Sequence, residues 1–167
     1  MTDHPDTDPA PIRPLWRDRI IAKVLQRKWR LSRGLTMGAQ MCVINADNQI
    51  LLIRHGYRRG WHFPGGGVEF GESILESGNR ELLEEAGVIP RTTPELFGIY
   101  TNFAHFPGDH IALFVVREFD QPTKPKPSFE IQEQGFFSRD ALPAETVGGA
   151  RRRLAEIFDN KPRITAW

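Results

Sequence analysis

Cysteine is almost missing from this 167-residue chain: Cys42 stands alone in the apolar run "MCVI". One thiol excludes an intrachain disulfide and a zinc site built on thiolates, and it suits a reducing compartment. Net charge is nearly missing too. Lys and Arg number 22 against 21 Asp and Glu, a formal +1, so no global field draws the chain to nucleic acid or acidic membrane. No apolar run approaches the ~20 residues that span a bilayer, so no membrane span is expected. The opening "MTDHPDTDPAPIRP" carries acids and prolines where a signal peptide needs a basic start and an apolar stretch. The chain also lacks internal repeats. The expectation is one ordinary cytoplasmic domain with a real core.

What is present begins after a tail. Residues 1–14 have no apolar periodicity and read as disordered. In "LWRDRIIAKVLQRKWRLSR", Trp16, Ile20 and Val24 recur at helical spacing among arginines and lysines, which predicts a basic amphipathic helix over 15–34. It could touch anionic lipid or a nucleic-acid backbone, but packing on its own domain or on a second copy in a homodimer is the preferred reading. Nucleic acid is thus a less favoured partner. A single domain over 35–160 and a short tail at 161–167 complete the division. "AQMCVINA" and "ILLIRH" around "DNQ" predict a β-hairpin. "ELFGIYTNF", "HIALFVVREF" and "EIQEQGFFS" predict further strands, and "GGARRRLAEIFDN" a closing helix with Leu154, Ile157 and Phe158 on one face. The fold class is α+β, because βαβ spacing does not continue as a doubly wound sheet requires.

The segment "FPGGGVEFGESILESGNRELLEEAGV" concentrates the chemistry. Ser73 and Glu76 form a capping-box pattern and Gly87 a stop, so a helix runs from about Ile74 to Ala86. Leu75, Leu82 and Ala86 share a packing face; Glu81, Glu84 and Glu85 share a neighbouring arc of about 100°. Like charges so placed repel by a few tenths of a kcal/mol per pair. A solvated acidic face, eased by pairing of Arg80 with Glu76 or Glu84, is one explanation. The other is a cation. Glu72 adds a carboxylate, glycines let backbone approach closely, and oxygen ligands suit Mg²⁺ or Mn²⁺ and hence phosphates.

From Gly66 the residues run Gly, five residues, Glu72, seven residues, then "RELLEEAGV", which resembles the Nudix box G-x5-E-x7-R-E-U-x-E-E-x-G-U at every fixed position, U being bulky aliphatic. The similarity extends over roughly Met37 to Pro143. It implies an α/β/α sandwich around a mixed sheet, with the box as loop, helix and loop. It also implies hydrolysis of a nucleoside diphosphate linked to a group X. On this resemblance Glu81, Glu84 and Glu85 are metal-binding and catalytic, Glu72 supports them, Arg80 orients them, and Gly65 or Gly66 supplies a carbonyl ligand. The proton acceptor is Glu81 by preference, with Glu130 and Glu133 open.

For the small-molecule substrate, "RHGYRRGWHF" places Arg54, His55, Arg58 and Arg59 near the glycines as phosphate clamps, with a solubilising loop as the alternative. Trp61 and Phe103, with Tyr57 and Tyr100, are candidates to stack a base, against a core role. No "SQPWPFP" tract and no "LLTxR" pattern occurs, so the subfamily stays open. "WHFPGGG" is loosely similar to RNA 5′-end pyrophosphohydrolases. A sensing or partner-binding domain that holds nucleotide without turnover is the rival to an enzyme.

Overall fold

The computed structural model describes residues 34–167; the expected N-terminal tail and basic helix lie outside the described residues. Nine strands and two longer helices follow in chain order. They are β1 (Thr36–Val43), β2 (Ile50–His55), β3 (Trp61–His62), β4 (Gly65–Gly67), α1 (Ile74–Ala86), β5 (Ile89–Pro90), β6 (Glu95–Thr101), β7 (Asp109–Val116), β8 (Phe119–Asp120), β9 (Ile131–Phe137) and α2 (Gly148–Phe158).

β1 organises the molecule. It lies parallel to β7, with Thr36 opposite Asp109 and Val43 opposite Val116, and antiparallel to the glycine strand β4. β6 completes the sheet in the order β4-β1-β7-β6. Side chains alternate across a strand, so β1 feeds two cores. Ala39, Met41 and Val43 meet Leu82 and Ala86 of α1 on one face. Cys42 and Ile44 meet Ala150 and Leu154 of α2 on the other. A strand covered on both faces reads as a nearly continuous apolar run, which "AQMCVINA" is. Helix, sheet and helix therefore form the expected α/β/α sandwich.

The expected hairpin is corrected. β1 and β2 are both strands, but β2 belongs to a separate antiparallel sheet, β3-β2-β9. Between them only a single bridge, Ile44 to Ile50, forms. The "NADNQ" corner is held by the Asn45 side-chain oxygen, which accepts from the N–H groups of Asp47 and Gln49. With Asn48 in the left-handed region (φ 57), the chain reverses over this one antiparallel bridge and passes from one sheet into the next.

α1 has the bounds that its sequence signals predict. Ser73 Oγ accepts from the Glu76 N–H at 3.2 Å, while the Glu76 carboxylate accepts from the Ser73 N–H at 2.7 Å. Gly87, at φ 67, ends the helix by donating to Leu82 and Leu83 carbonyls. The helix seats on β1 and β4, which fixes its carboxylates beside the three glycines.

Candidate active site

The three carboxylates of α1 do not share one environment. Glu84 is 61% exposed, Glu81 15% and Glu85 4%. Glu85 therefore falls on the buried side with Leu82 and Ala86, where the sequence reading put it on a displayed arc. Its Oε2 accepts the Gly65 N–H at 2.7 Å, tying helix to glycine strand. Burial pushes its carboxyl up to about 8, opposed by that N–H and reinforced by the charges of Glu81 and Glu130. Glu81 lies against Gly66 so closely that any Cβ on residue 66 would collide with its carboxylate. A larger residue at 66 would therefore displace the Glu81 carboxylate from this position.

Arg80 arranges the remaining acids. Its Nη2 and Nε grip the Glu72 carboxylate at 2.9 and 3.2 Å, and Nη1 reaches Glu81 at 2.8 Å and Glu84 at 3.4 Å. Of the two partners expected, Glu84 is met and Glu76 is not, because Glu76 caps the helix. The fork holds Glu72 down at about 2 and raises the guanidinium above its already high value. Arg80 Nη2 and Ser77 Oγ also donate to the Gly67 carbonyl, at 3.4 and 3.0 Å.

His55, at the end of β2, is buried with its Nδ1 3.7 Å from Glu85 Oε1 and no hydrogen-bond partner on that nitrogen. Burial, then the charges of Arg58 and His62, bring it down to about 4. Burial thus disfavours the charged form of both partners in this contact. Arg58 Nη2 donates to His62 Nδ1 at 2.8 Å, and His62 Nε2 donates to the Arg59 carbonyl at 2.8 Å, fixing the ring as neutral imidazole.

A cavity of about 820 Å³ opens beside the glycine strand. Gly65, Gly66 and Gly67 form one wall, and Arg58, Arg59 and His62 another. Arg54, Trp61 and Phe103 are not among its lining residues. Arg54 is paired with Glu133, Trp61 packs edge-on to Phe137 at 4.9 Å, and Phe103 is half exposed against His110. Among the lining residues that the sequence alone did not point to are Arg152 and Trp167, from α2 and the segment after it. Their only sequence signals, a basic run and an isolated tryptophan, say nothing of where they arrive.

In kind, the donor set suits a hard divalent cation. Oxygen is its only donor, and it includes a carboxyl whose charged form is disfavoured by burial, and further by the charges of Glu81 and Glu130, so that a nearby positive charge would favour that form. Among the described residues, no three His, Cys, Asp or Glu side chains stand close enough to enclose an ion by themselves. Backbone, water or phosphate oxygens must complete such a shell, as Mg²⁺ ordinarily requires.

A family model described as "NUDIX domain" matches residues 34–157. An ADP-ribose pyrophosphatase of Methanocaldococcus jannaschii is 33% identical over 151 residues, 87% of this chain and 76% of that protein. An uncharacterized Nudix hydrolase of Bacillus subtilis is 41% identical over 70 residues, 42% of this chain and only 43% of its own length. Among solved structures, a MutT protein from Bacillus halodurans superposes with a TM-score of 0.60 at 29% identity, covering 74% of this chain and 82% of that one.

Proposed function

The chain belongs to the Nudix family, and from that premise we propose that it hydrolyses the diphosphate linkage of a nucleoside diphosphate joined to a further group X, with Mg²⁺ or Mn²⁺ as cofactor. The observation that carries this reading is the convergence of Glu81 and Glu85 on Gly65 and Gly66, at the wall of a cavity that also presents Arg58 and Arg59. Pyrophosphatase chemistry is supported by the relative from Methanocaldococcus, whose likeness runs through the whole domain.

Each residue has a role that follows from its surroundings. Glu81, Glu84 and Glu85 would offer carboxylate oxygens to the ion, with a carbonyl of Gly65 or Gly66 and water or phosphate oxygens completing its shell. When bound, the ion polarises the phosphoryl oxygens and eases ionisation of the attacking water. Arg80 sets the carboxylates of Glu72 and Glu81 in fixed orientations, so little reorganisation is needed as charge develops. Glu81 accepts the proton of the attacking water. Arg58 and Arg59 receive the diphosphate oxygens as planar forks.

The deciding experiment measures product release from ADP-ribose, nucleotide sugars, dinucleoside polyphosphates, nucleoside triphosphates and 5′-triphosphate RNA, with Mg²⁺ or Mn²⁺, for the full chain and for Glu84→Gln. Cleavage at a diphosphate, reduced in the variant, is expected. Binding of nucleotide with no release under any metal condition would overturn the hydrolase reading in favour of a sensing domain.

A further inference from the structure

Of the residues that line the cavity, Trp167 is the one with a Phe, Tyr or Trp side chain. Arg58, Arg59, Arg152, Asn102 and Asp109 line the same cavity, together with apolar Ile111 and Val147. Its indole arrives there along a clamped segment. The Thr101 N–H donates to the Thr165 carbonyl, and the Trp167 N–H to the Thr101 carbonyl, both at 2.8 Å. Arg153 Nη1 donates to the Ala166 carbonyl at 3.0 Å, and Arg152 Nη2 donates to that of Trp167. Arg153 is fully buried and bound to Glu156 at 2.7 Å, and Glu156 also accepts from the Tyr100 hydroxyl and the Ile164 N–H.

The ring is held as firmly as its backbone. Tyr100 and Phe63 meet it edge-on at centroid distances of 5.8 and 6.5 Å. On the α2 side a Cβ at position 149 would stand 2.8 Å from the indole Cδ1, so glycine there is what admits the ring. Arg153 stands over the ring, 5.7 Å from its centroid; packing alone would account for a wholly buried residue, but Trp167 is only partly buried and lines the cavity. A planar apolar surface among guanidinium groups matches a ligand that combines a planar ring with phosphate. An aromatic side chain that is already immobile gives up no further rotamer freedom on contact.

We infer that Trp167 stacks the nucleobase of the substrate and is a specificity-determining residue of the cleft. This rests on reading the cleft as the site of nucleoside-diphosphate hydrolysis. The base lies against the indole while the diphosphate lies between the arginines and the glycine strand. Stacking tolerates any base, because each has a π-face, so Trp167 selects nucleotides over other phosphates and does not select among bases.

Binding to the full chain tests this without turnover. The chain has four tryptophans, Trp16, Trp29, Trp61 and Trp167, so the fluorescence of wild type less that of Trp167→Phe isolates residue 167. AMP and UMP should quench that difference signal, and ribose 5-phosphate, with the same phosphate and no base, should not. Trp167→Ala should weaken AMP and UMP about tenfold. In the same variant pyrophosphate affinity should change less than about twofold. Trp167→Phe, which keeps a ring, should restore most of the nucleotide affinity, and it still reads the stacking if the alanine variant fails to fold. Equal AMP affinity in wild type and Trp167→Ala would overturn the inference. So would equal quenching by ribose 5-phosphate, or a parallel loss of pyrophosphate affinity. Nucleotide stacking without cleavage in the substrate panel would leave Trp167 as assigned and remove the hydrolase reading instead.

Discussion

His55 and Glu85 face each other at 3.7 Å in near-complete burial, 2% and 4% exposed, and that burial disfavours the charged form of each. An amide at position 85 therefore differs little from the carboxylic acid that the cation-free protein holds there, and its oxygen can still accept from the Gly65 N–H. The expected behaviour of Glu85→Gln is a melting temperature in EDTA within about 3 °C of wild type. Its Mg²⁺-induced rise in melting temperature should vanish, and product release should fall by at least about 100-fold. A Mg²⁺ shift preserved in the variant would remove Glu85 from the ion site.

Arg80 contacts Glu72, Glu81 and Glu84 with one rigid fork, a geometry that a lysine ammonium does not reproduce. Arg80→Lys should lower turnover roughly 10- to 100-fold and Arg80→Ala further, as for groups that orient metal ligands. Steady-state rates across a Mg²⁺ titration check this, and the loss should be only partly recovered at high Mg²⁺. Wild-type rates in Arg80→Lys would show that charge alone suffices.

Ser73 touches no group of the site and works only through the helix end. Ser73→Ala should cost about 1 kcal/mol of stability, read as a lower urea midpoint with unchanged slope. An unaltered midpoint would mean that packing of α1 on β1 and β4 leaves its first turn indifferent to the cap.

Alkaline pH should destabilise the protein through two buried groups, Cys42 and Tyr100. Burial raises Cys42 from 9.0 to about 12 and Tyr100 from 10.0 to about 12. Between those limits the folded state holds protons that the unfolded chain has released. The contribution of these two groups is accordingly full below pH 9 and is lost as pH climbs toward 12. Urea unfolding at pH 8, 9.5 and 11 should show the decline, with a shallower slope in Cys42→Ala. A flat profile to pH 11 would contradict the burial of both groups.

Much of this arrangement is legible in the residues, and the limits of legibility are physical. α1 could be bounded to the residue because caps are local: Ser73, Glu76 and Gly87 act on neighbours within a turn. The spacing of Glu72, Arg80, Glu81, Glu84 and Glu85 is likewise local, so the acid cluster could be named in advance. Partners of strands are not local. Alternation in "AQMCVINA" and "ILLIRH" tells which residues face a core but not which strand lies alongside, and the two runs part into different sheets. The burial of Glu85 escaped for a related reason, since an angular wheel cannot tell where β4 crosses the helix. Trp167 lay furthest from reach: it is fixed by Thr101, Arg152 and Gly149, and no pattern within its own segment points to them.

The parallel pairing of β1 with β7 also has a bearing on the order of events during synthesis. Thr36 must wait for Asp109 before the central sheet can close, and pairings so distant along the chain are slow to nucleate. A nascent chain that has released residues 34–100 already contains every box carboxylate and both glycine-strand partners, yet β1 still has an open edge. Until β7 is made, that apolar edge is available to other chains, which makes this interval the one most exposed to aggregation.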